Sequence, residues 1–150
     1  MKLKIPPVIV TIIFAGFMYV LAEYLPVGYF DFFGREYLMA FLFGVALIVG
    51  VVSIIQFIRA STTINPKSPT KTATLVTGGI YQYSRNPMYL ALLLVLLGWG
   101  LYLGNAFNTL LAAGFVYYIN AFQIEPEEEI LFKKFPKEFQ KYRVLVRRWF

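Results

Sequence analysis

The chain has 150 residues, 59% of them hydrophobic and 19% aromatic, and a formal net charge of +6. That apolarity is too high for a soluble domain of this size and suits a chain dissolved in lipid. With no cysteine and no histidine, disulfides, thiolate metal sites, a cysteine nucleophile and the commonest general base are excluded. Any chemistry rests on carboxylates, arginine, tyrosine, amides and backbone, or on a cofactor, and no metal site is expected.

In chain order, the first apolar run extends from about Pro6 to Leu25 and the second from about Leu38 to Ile58. Each is roughly 20 residues, enough at about 1.5 Å per residue to cross a hydrocarbon core of about 30 Å. Lys2 and Lys4 resemble the start of a signal peptide. The run after them is long and lacks a small-residue cleavage site, so it reads as a retained anchor. The third run, Met88 to Leu103, and the fourth, Ala106 to Phe122, are joined by Gly104-Asn105. So short a link predicts an antiparallel helical hairpin, each arm about 24 to 26 Å long and only just able to span.

Lysine and arginine fall before the first run, between the second and third (Arg59, Lys67, Lys71, Arg85), and after the fourth. The other side has only Arg35, beside Glu23, Asp31 and Glu36. With four crossings all three basic segments share one face, which the positive-inside rule places in the cytoplasm together with both termini. The basic balance then serves orientation and anionic lipid, and nucleic acid is not needed as a partner.

Beyond the fourth run, Leu131, Phe135, Phe139, Tyr142, Val146 and Trp149 recur at three- and four-residue spacing among Lys, Glu and Arg. This predicts an amphipathic helix at the membrane surface. Pro136 bends it into two pieces, Pro126 to about Phe135 and Pro136 to about Arg147. Trp149 reads as an interfacial anchor. The expected architecture is an all-α integral membrane protein: four transmembrane helices, including a C-terminal hairpin, then a bent amphipathic interfacial helix. Residues 1–60 hold the first two helices, and residues 61–150 the loop, hairpin and amphipathic helix of the same membrane domain.

Two polar stretches stand out against this background. In TLVTGGIYQYSRNPMY (74–89), Asn86-Pro87 is a good helix start, an N-cap followed by proline at the first helical position. In EPEEE (125–129), a proline and first-turn carboxylates suit a helix dipole. Taken singly, each is more simply a helix start than a site. Together they lie at the same ends of adjacent hairpin helices, which a tight far turn forces close. Ionisable groups beside a bilayer that face a protein cleft are candidates for function. Gly78-Gly79 is a weak signal, and neither a phosphate-binding loop nor a dinucleotide fingerprint is present.

TLVTGGIYQYSRNPMY, an apolar hairpin, then EPEEEILFKKF and EFQKYRVLVRRW resemble, over residues 70–150, the isoprenylcysteine carboxyl methyltransferase family, which includes phospholipid N-methyltransferase relatives and small prokaryotic members. The resemblance implies S-adenosyl-L-methionine bound between hairpin and C-terminal helix, in a multi-pass protein of a prokaryotic inner membrane. Carried over by position, the cofactor meets Ala73, Thr74, Leu75, Val76, Tyr81, Asn86, Pro87, Met88, Tyr89 and Glu127, with Glu128 the paired neighbour. A carboxylate suits the cofactor ammonium or ribose hydroxyls, and aromatic rings suit a sulfonium.

Three positions depart from that family. Asn86 stands for a histidine and Pro136 for a glycine. Gln123 stands at the substrate-binding position where prenylcysteine enzymes carry an arginine that grips the substrate carboxylate; a neutral glutamine lacks that two-pronged charged grip, which counts against such a substrate. The implied reaction is in-line methyl transfer to a lipid-like or small apolar acceptor, which needs alignment and exclusion of water. Tyr89 or Glu128 is placed to assist an acceptor that must lose a proton, and Arg143, with Arg147 and Arg148, to hold an anionic head group. Alternatives are a phospholipid amine, thiol or quinone-like acceptor on the same machinery, a non-catalytic membrane scaffold, and a nicotinamide site of sterol-reductase type, for which the chain is short.

Overall fold

A computed structural model describes residues 5–62 and 74–150. Lys2, Lys4, Lys67, Lys71 and Ala73 lie outside the described residues. The described residues form six α-helices and no strand: α1 Pro7–Tyr24, α2 Arg35–Thr62, α3 Pro87–Leu103, α4 Asn108–Ile119, α5 Glu125–Lys134 and α6 Pro136–Leu145. α1 and α2, over Pro7–Tyr24 and Arg35–Ala60, are long and apolar enough to cross a membrane, and α3 is a shorter apolar helix. Their outward faces carry exposed Ile12, Phe17, Val20, Phe41, Leu47 and Ile48. Such a surface is at home in hydrocarbon, where a helix satisfies its own backbone.

α2 packs along α3, and α1 lies against α3 and α4. Val10, Met18, Leu96, Ala112, Phe115, Ile119 and Ile124 form the buried core of this bundle. Phe14 meets Phe115 edge to face at 5.7 Å, and the Trp99 indole N–H donates to the Ala15 carbonyl at 3.0 Å. The two connectors meet at one end of the bundle. Tyr29 and Asn105 form a single antiparallel bridge, and Asn105 Nδ2 donates to the Leu25 carbonyl at 2.7 Å. Gly104 ends α3 in the left-handed region (φ 64°), its N–H returning to the Gly100 carbonyl at 3.0 Å. That is the glycine helix stop the hairpin requires.

Three boundaries differ from the sequence reading. α4 starts at Asn108 and not at Ala106, because Asn105 Oδ1 takes the Phe107 N–H in a local turn. The fourth helix does not stop near Phe122 for a new helix to open at Pro126. It continues through a π turn, Asn120–Ile124, into α5, with the Glu125 N–H returning to the Asn120 carbonyl. The wider turn accommodates Pro126, which lacks an N–H and whose ring would crowd a regular preceding turn. The acidic run is therefore not at a free helix start, and the macrodipole does not account for it. The bend does fall at Pro136, between Lys134 and α6.

The apolar stripe of α6 faces protein and not the membrane surface: Phe139, Tyr142 and Val146 are buried with Tyr81 against Leu75, Val76, Ile80, Leu131 and Phe135. Trp149 packs on the bundle core, and its indole N–H donates to Asn120 Oδ1 at 3.2 Å. It is a tether to the π turn, where an interfacial anchor was expected.

Candidate functional site

The loop before α3 is held from both sides. On the α2 side, Gln56 Oε1 accepts the Ile80 N–H at 3.0 Å, and Tyr81 Oη donates to the Ser53 carbonyl at 3.4 Å. Gly79 adopts φ 62°, and a Cβ there would collide with the Gln56 side chain. On the α6 side, Tyr142 Oη donates to the Tyr81 carbonyl at 2.6 Å. Burial pushes the Tyr81 phenol up to about 12 and raises that of Tyr142 as well, because a phenolate would lose its hydration there.

The chain beyond α6 laces this loop further. The Arg147 carbonyl accepts the Arg85 N–H at 3.0 Å, and the Arg148 carbonyl accepts Asn86 Nδ2 at 3.1 Å and Ser84 Oγ at 3.4 Å. Asn86 precedes Pro87, the first residue of α3, but makes no side-chain cap hydrogen bond. Its amide holds the C-terminal segment instead, so helix capping does not explain the asparagine.

The acids meet this assembly as the sequence predicts. Tyr89 Oη donates to Glu127 Oε1 at 2.9 Å and lies 3.1 Å from Oε2. Glu128 takes the Arg148 guanidinium in a fork, Nη2 at 2.8 Å and Nε at 3.3 Å, and Arg85 Nη2 lies 3.1 Å from its Oε1. Arg148 Nη1 also lies 3.5 Å from Glu125 Oε1. Charge-assisted, two-pronged contacts of this kind are strong and fix orientation. The Glu128 bond raises the Arg148 guanidinium pKa. Burial lowers that of Arg85, with Arg148 and Arg143 adding repulsion and Glu128 opposing.

Between the loop and α5 lies a cavity of about 690 Å³, lined by Thr74, Leu75, Val76, Tyr81, Asn86, Pro87, Met88, Tyr89, Glu127 and Glu128 among the residues singled out from sequence. Its volume falls within the roughly 300–1,000 Å³ of small-molecule and cofactor sites. Residues the sequence reading left out complete the lining: Ile54, Phe57 and Ala60 of α2, Arg85, Ile130, Leu131, Lys134, Phe135, Phe139 and Tyr142. Arg85 was discernible within RNPMY; the α2 residues carry no motif and could be found only from packing.

Two predicted residues lie elsewhere. Gln123 is buried in the π turn, and its Nε2 donates to the Ile5 carbonyl at 2.7 Å. Arg143 lines a separate groove of about 500 Å³ with Glu125, Glu129, Phe132, Lys133 and Arg148, which shares only Glu128 and Phe139 with the cavity. Among the described residues no group of acidic side chains is arranged to hold a metal ion.

Helices long and apolar enough to cross a membrane, and an apolar cavity edged by Glu127, Glu128 and Arg85, define a helical membrane protein with a cavity of small-molecule size. The chain belongs to the phospholipid methyltransferase family, whose model matches residues 35–138, from the start of α2 into α6. It is thus a membrane methyltransferase by family. Over 62 residues it is 50% identical to an uncharacterized protein of Haemophilus influenzae, a match that spans 41% of this chain and 98% of that protein. No solved structure matches it.

Proposed function

We propose that the chain is an integral membrane methyltransferase that uses S-adenosyl-L-methionine and methylates a lipid-like acceptor, most simply a phospholipid amine. The observation that carries this reading is the Tyr89–Glu127 hydrogen bond, which joins the two sequence motifs across one cavity of cofactor size. The donor set fits the cofactor. Glu127 offers a carboxylate to an ammonium or to ribose hydroxyls, while Leu75, Val76 and Met88 give apolar walls and Tyr81 and Tyr89 aromatic ones.

When bound, the cofactor supplies an electrophilic methyl group; the acceptor nitrogen gains the methyl and loses a proton. The chain's part is to bind, align and exclude water. Tyr89 Oη holds Glu127 in one orientation. Glu128 is engaged by two arginines, so its role on this reading is to set the positions of Arg85 and Arg148. An ammonium acceptor must be deprotonated, and on this reading the Glu127 carboxylate at the cavity wall takes that proton. Ile54, Phe57 and Ile130, exposed on α2 and α5, flank a side from which a lipid would approach.

The family supports a phospholipid acceptor, and Gln123, bonded to the Ile5 carbonyl, leaves the cavity without the arginine expected of a prenylcysteine carboxylate enzyme. On the same reading α3 and α4 make two further crossings with both termini cytoplasmic. The connectors that meet at Tyr29 and Asn105 mark one face, and Arg85, Arg147 and Arg148 mark the other. Residues 1–60 then brace the bundle, and residues 61–150 carry the cofactor loop, with α2 adding one wall.

Calorimetry in detergent with S-adenosylmethionine, S-adenosylhomocysteine and NADPH tests the cofactor. Heat with the two sulfur ligands and none with NADPH is expected; silence with both sulfur ligands would end the methyltransferase reading. Native membranes incubated with methyl-labelled cofactor should then yield a labelled aminophospholipid.

A further inference from the structure

We propose that the Arg85 guanidinium is an oxyanion site of this cavity, taking a carboxylate or a phosphate from a bound ligand through an N–H group left unmatched beside its Glu128 contact. The proposal rests on the methyltransferase reading only for the identity of one of its two candidate ligands.

The Arg85 side chain is 10% exposed and lines the cavity. Its Nη2 is matched to Glu128, yet Nε and Nη1 are buried without a hydrogen-bond partner. A guanidinium carries five donors in a rigid fork and cannot shed its charge. Leaving two of them buried and unmatched is costly, and such groups in native proteins call for a partner.

The surrounding charge points the same way. Glu128 is shared between Arg85 and Arg148, and Arg143 lies close enough to repel. Glu125 is committed to Arg148, and Glu127 to Tyr89. The phenol of Tyr142, which faces Arg85 from α6, remains neutral at ordinary pH. Among the described residues Glu128, shared with Arg148, is thus the one carboxylate paired with Arg85, through Nη2 alone. Nε–H and Nη1 flank the Glu128-bound Nη2 on opposite edges of the guanidinium, so a carboxylate or phosphate oxygen takes one of them in a charge-assisted hydrogen bond. A small rotation of the guanidinium about its Glu128 contact would present one of these donors to the cavity.

Two ligands bring such a group: the cofactor, through its amino-acid carboxylate, and a phospholipid, through its phosphodiester. Calorimetry in detergent on the full chain separates them, with S-adenosylhomocysteine, its decarboxylated analogue and dihexanoyl phosphatidylethanolamine as probes. Arg85→Gln is expected to weaken one of the two anionic ligands about ten-fold, the loss of one charge-assisted contact, and to leave the other within about two-fold.

If the carboxylate is the partner, wild type loses a similar factor on the decarboxylated analogue, and the variant no longer distinguishes the two. If the phosphate is the partner, only the lipid weakens. Arg85→Lys, which keeps Glu128 paired, should weaken the same ligand and guards against a folding defect; the decarboxylated comparison needs no variant at all. Equal affinities of wild type and both folded variants for both ligands would overturn the proposal, as would a wild type that binds neither. Wild type that ignores S-adenosylhomocysteine yet binds the lipid in an Arg85-dependent way would remove methyl transfer and keep the anion site.

Discussion

Tyr89 and Glu127, 38 residues apart in sequence, meet across the cavity with Tyr89 Oη 2.9 Å from Glu127 Oε1. Tyr89 sits in the first turn of α3 and Glu127 in the first turn of α5. Their contact therefore reports that the two ends of the hairpin close on one another, and it aims a carboxylate at the space between them. Glu127→Ala should weaken S-adenosylhomocysteine binding by about 2 kcal/mol, as for loss of a charge-assisted contact. Tyr89→Phe, which keeps the carboxylate but frees its orientation, should cost about 1 kcal/mol. Calorimetry reads both, and wild-type affinity in the alanine variant would reject the assignment of Glu127.

Alkaline titration tests the packing of α6 on the loop. The Tyr81 and Tyr142 phenols are raised above the ordinary 10.0, chiefly by burial. A raised acid favours the fold while it holds its proton. Its contribution is complete below about pH 10 and is lost as pH rises through the folded value, about 12 for Tyr81. Tyrosinate absorbance should therefore show Tyr81 and Tyr142 ionising above the ordinary 10.0, together with loss of helical signal. Tyr142→Phe, which deletes the bond to the Tyr81 carbonyl, should move that loss to lower pH. Ionisation of Tyr81 and Tyr142 at the ordinary 10.0, with the helical signal intact, would contradict the burial of this pair.

Gly79 tests the other side of the loop. Its φ of 62° and the Gln56 side chain where a Cβ would stand leave little room for any other residue. Gly79→Ala should lower stability by about 1–2 kcal/mol from the left-handed backbone alone, with more from displacing Gln56. Thermal melts in detergent measure this. Gly78 has open space at its Cβ position and φ −91°, so Gly78→Ala should be nearly silent, and equal effects at both would show that the loop is not built as described.

Much of this was legible in the sequence because its signals were local. The apolar runs marked α1, α2 and α3, Gly104 marked the hairpin turn, and Pro136 the bend. Pairing the RNPMY and EPEEE stretches followed from the short turn alone, and the cavity is lined by both. What escaped depends on tertiary context. Pro126 looked like a helix start because a π turn leaves no compositional mark. The α6 stripe looked like a membrane face because periodicity names an apolar side without naming its partner. Asn86 looked like a cap, and only the fold shows that residues 147–148 recruit it.

Gln123 offers the sharpest test of acceptor class. It is 2% exposed, and its Nε2 donates to the Ile5 carbonyl at 2.7 Å, fastening the π turn to the chain just before α1. A residue so placed holds the bundle together and does not reach the cavity, whose lining on that side begins at Glu127. Gln123→Ala should therefore lower thermal stability by about 1 kcal/mol and leave S-adenosylhomocysteine affinity unchanged. Wild type should methylate farnesylcysteine analogues poorly. Gln123→Arg should not rescue them, because burying an unpaired guanidinium beside Ile124 and Ile119, both fully buried, disrupts packing before it offers a grip. Efficient carboxyl methylation of a farnesylcysteine analogue by wild type would show that the carboxylate is held by another residue, with Arg85 the first to examine.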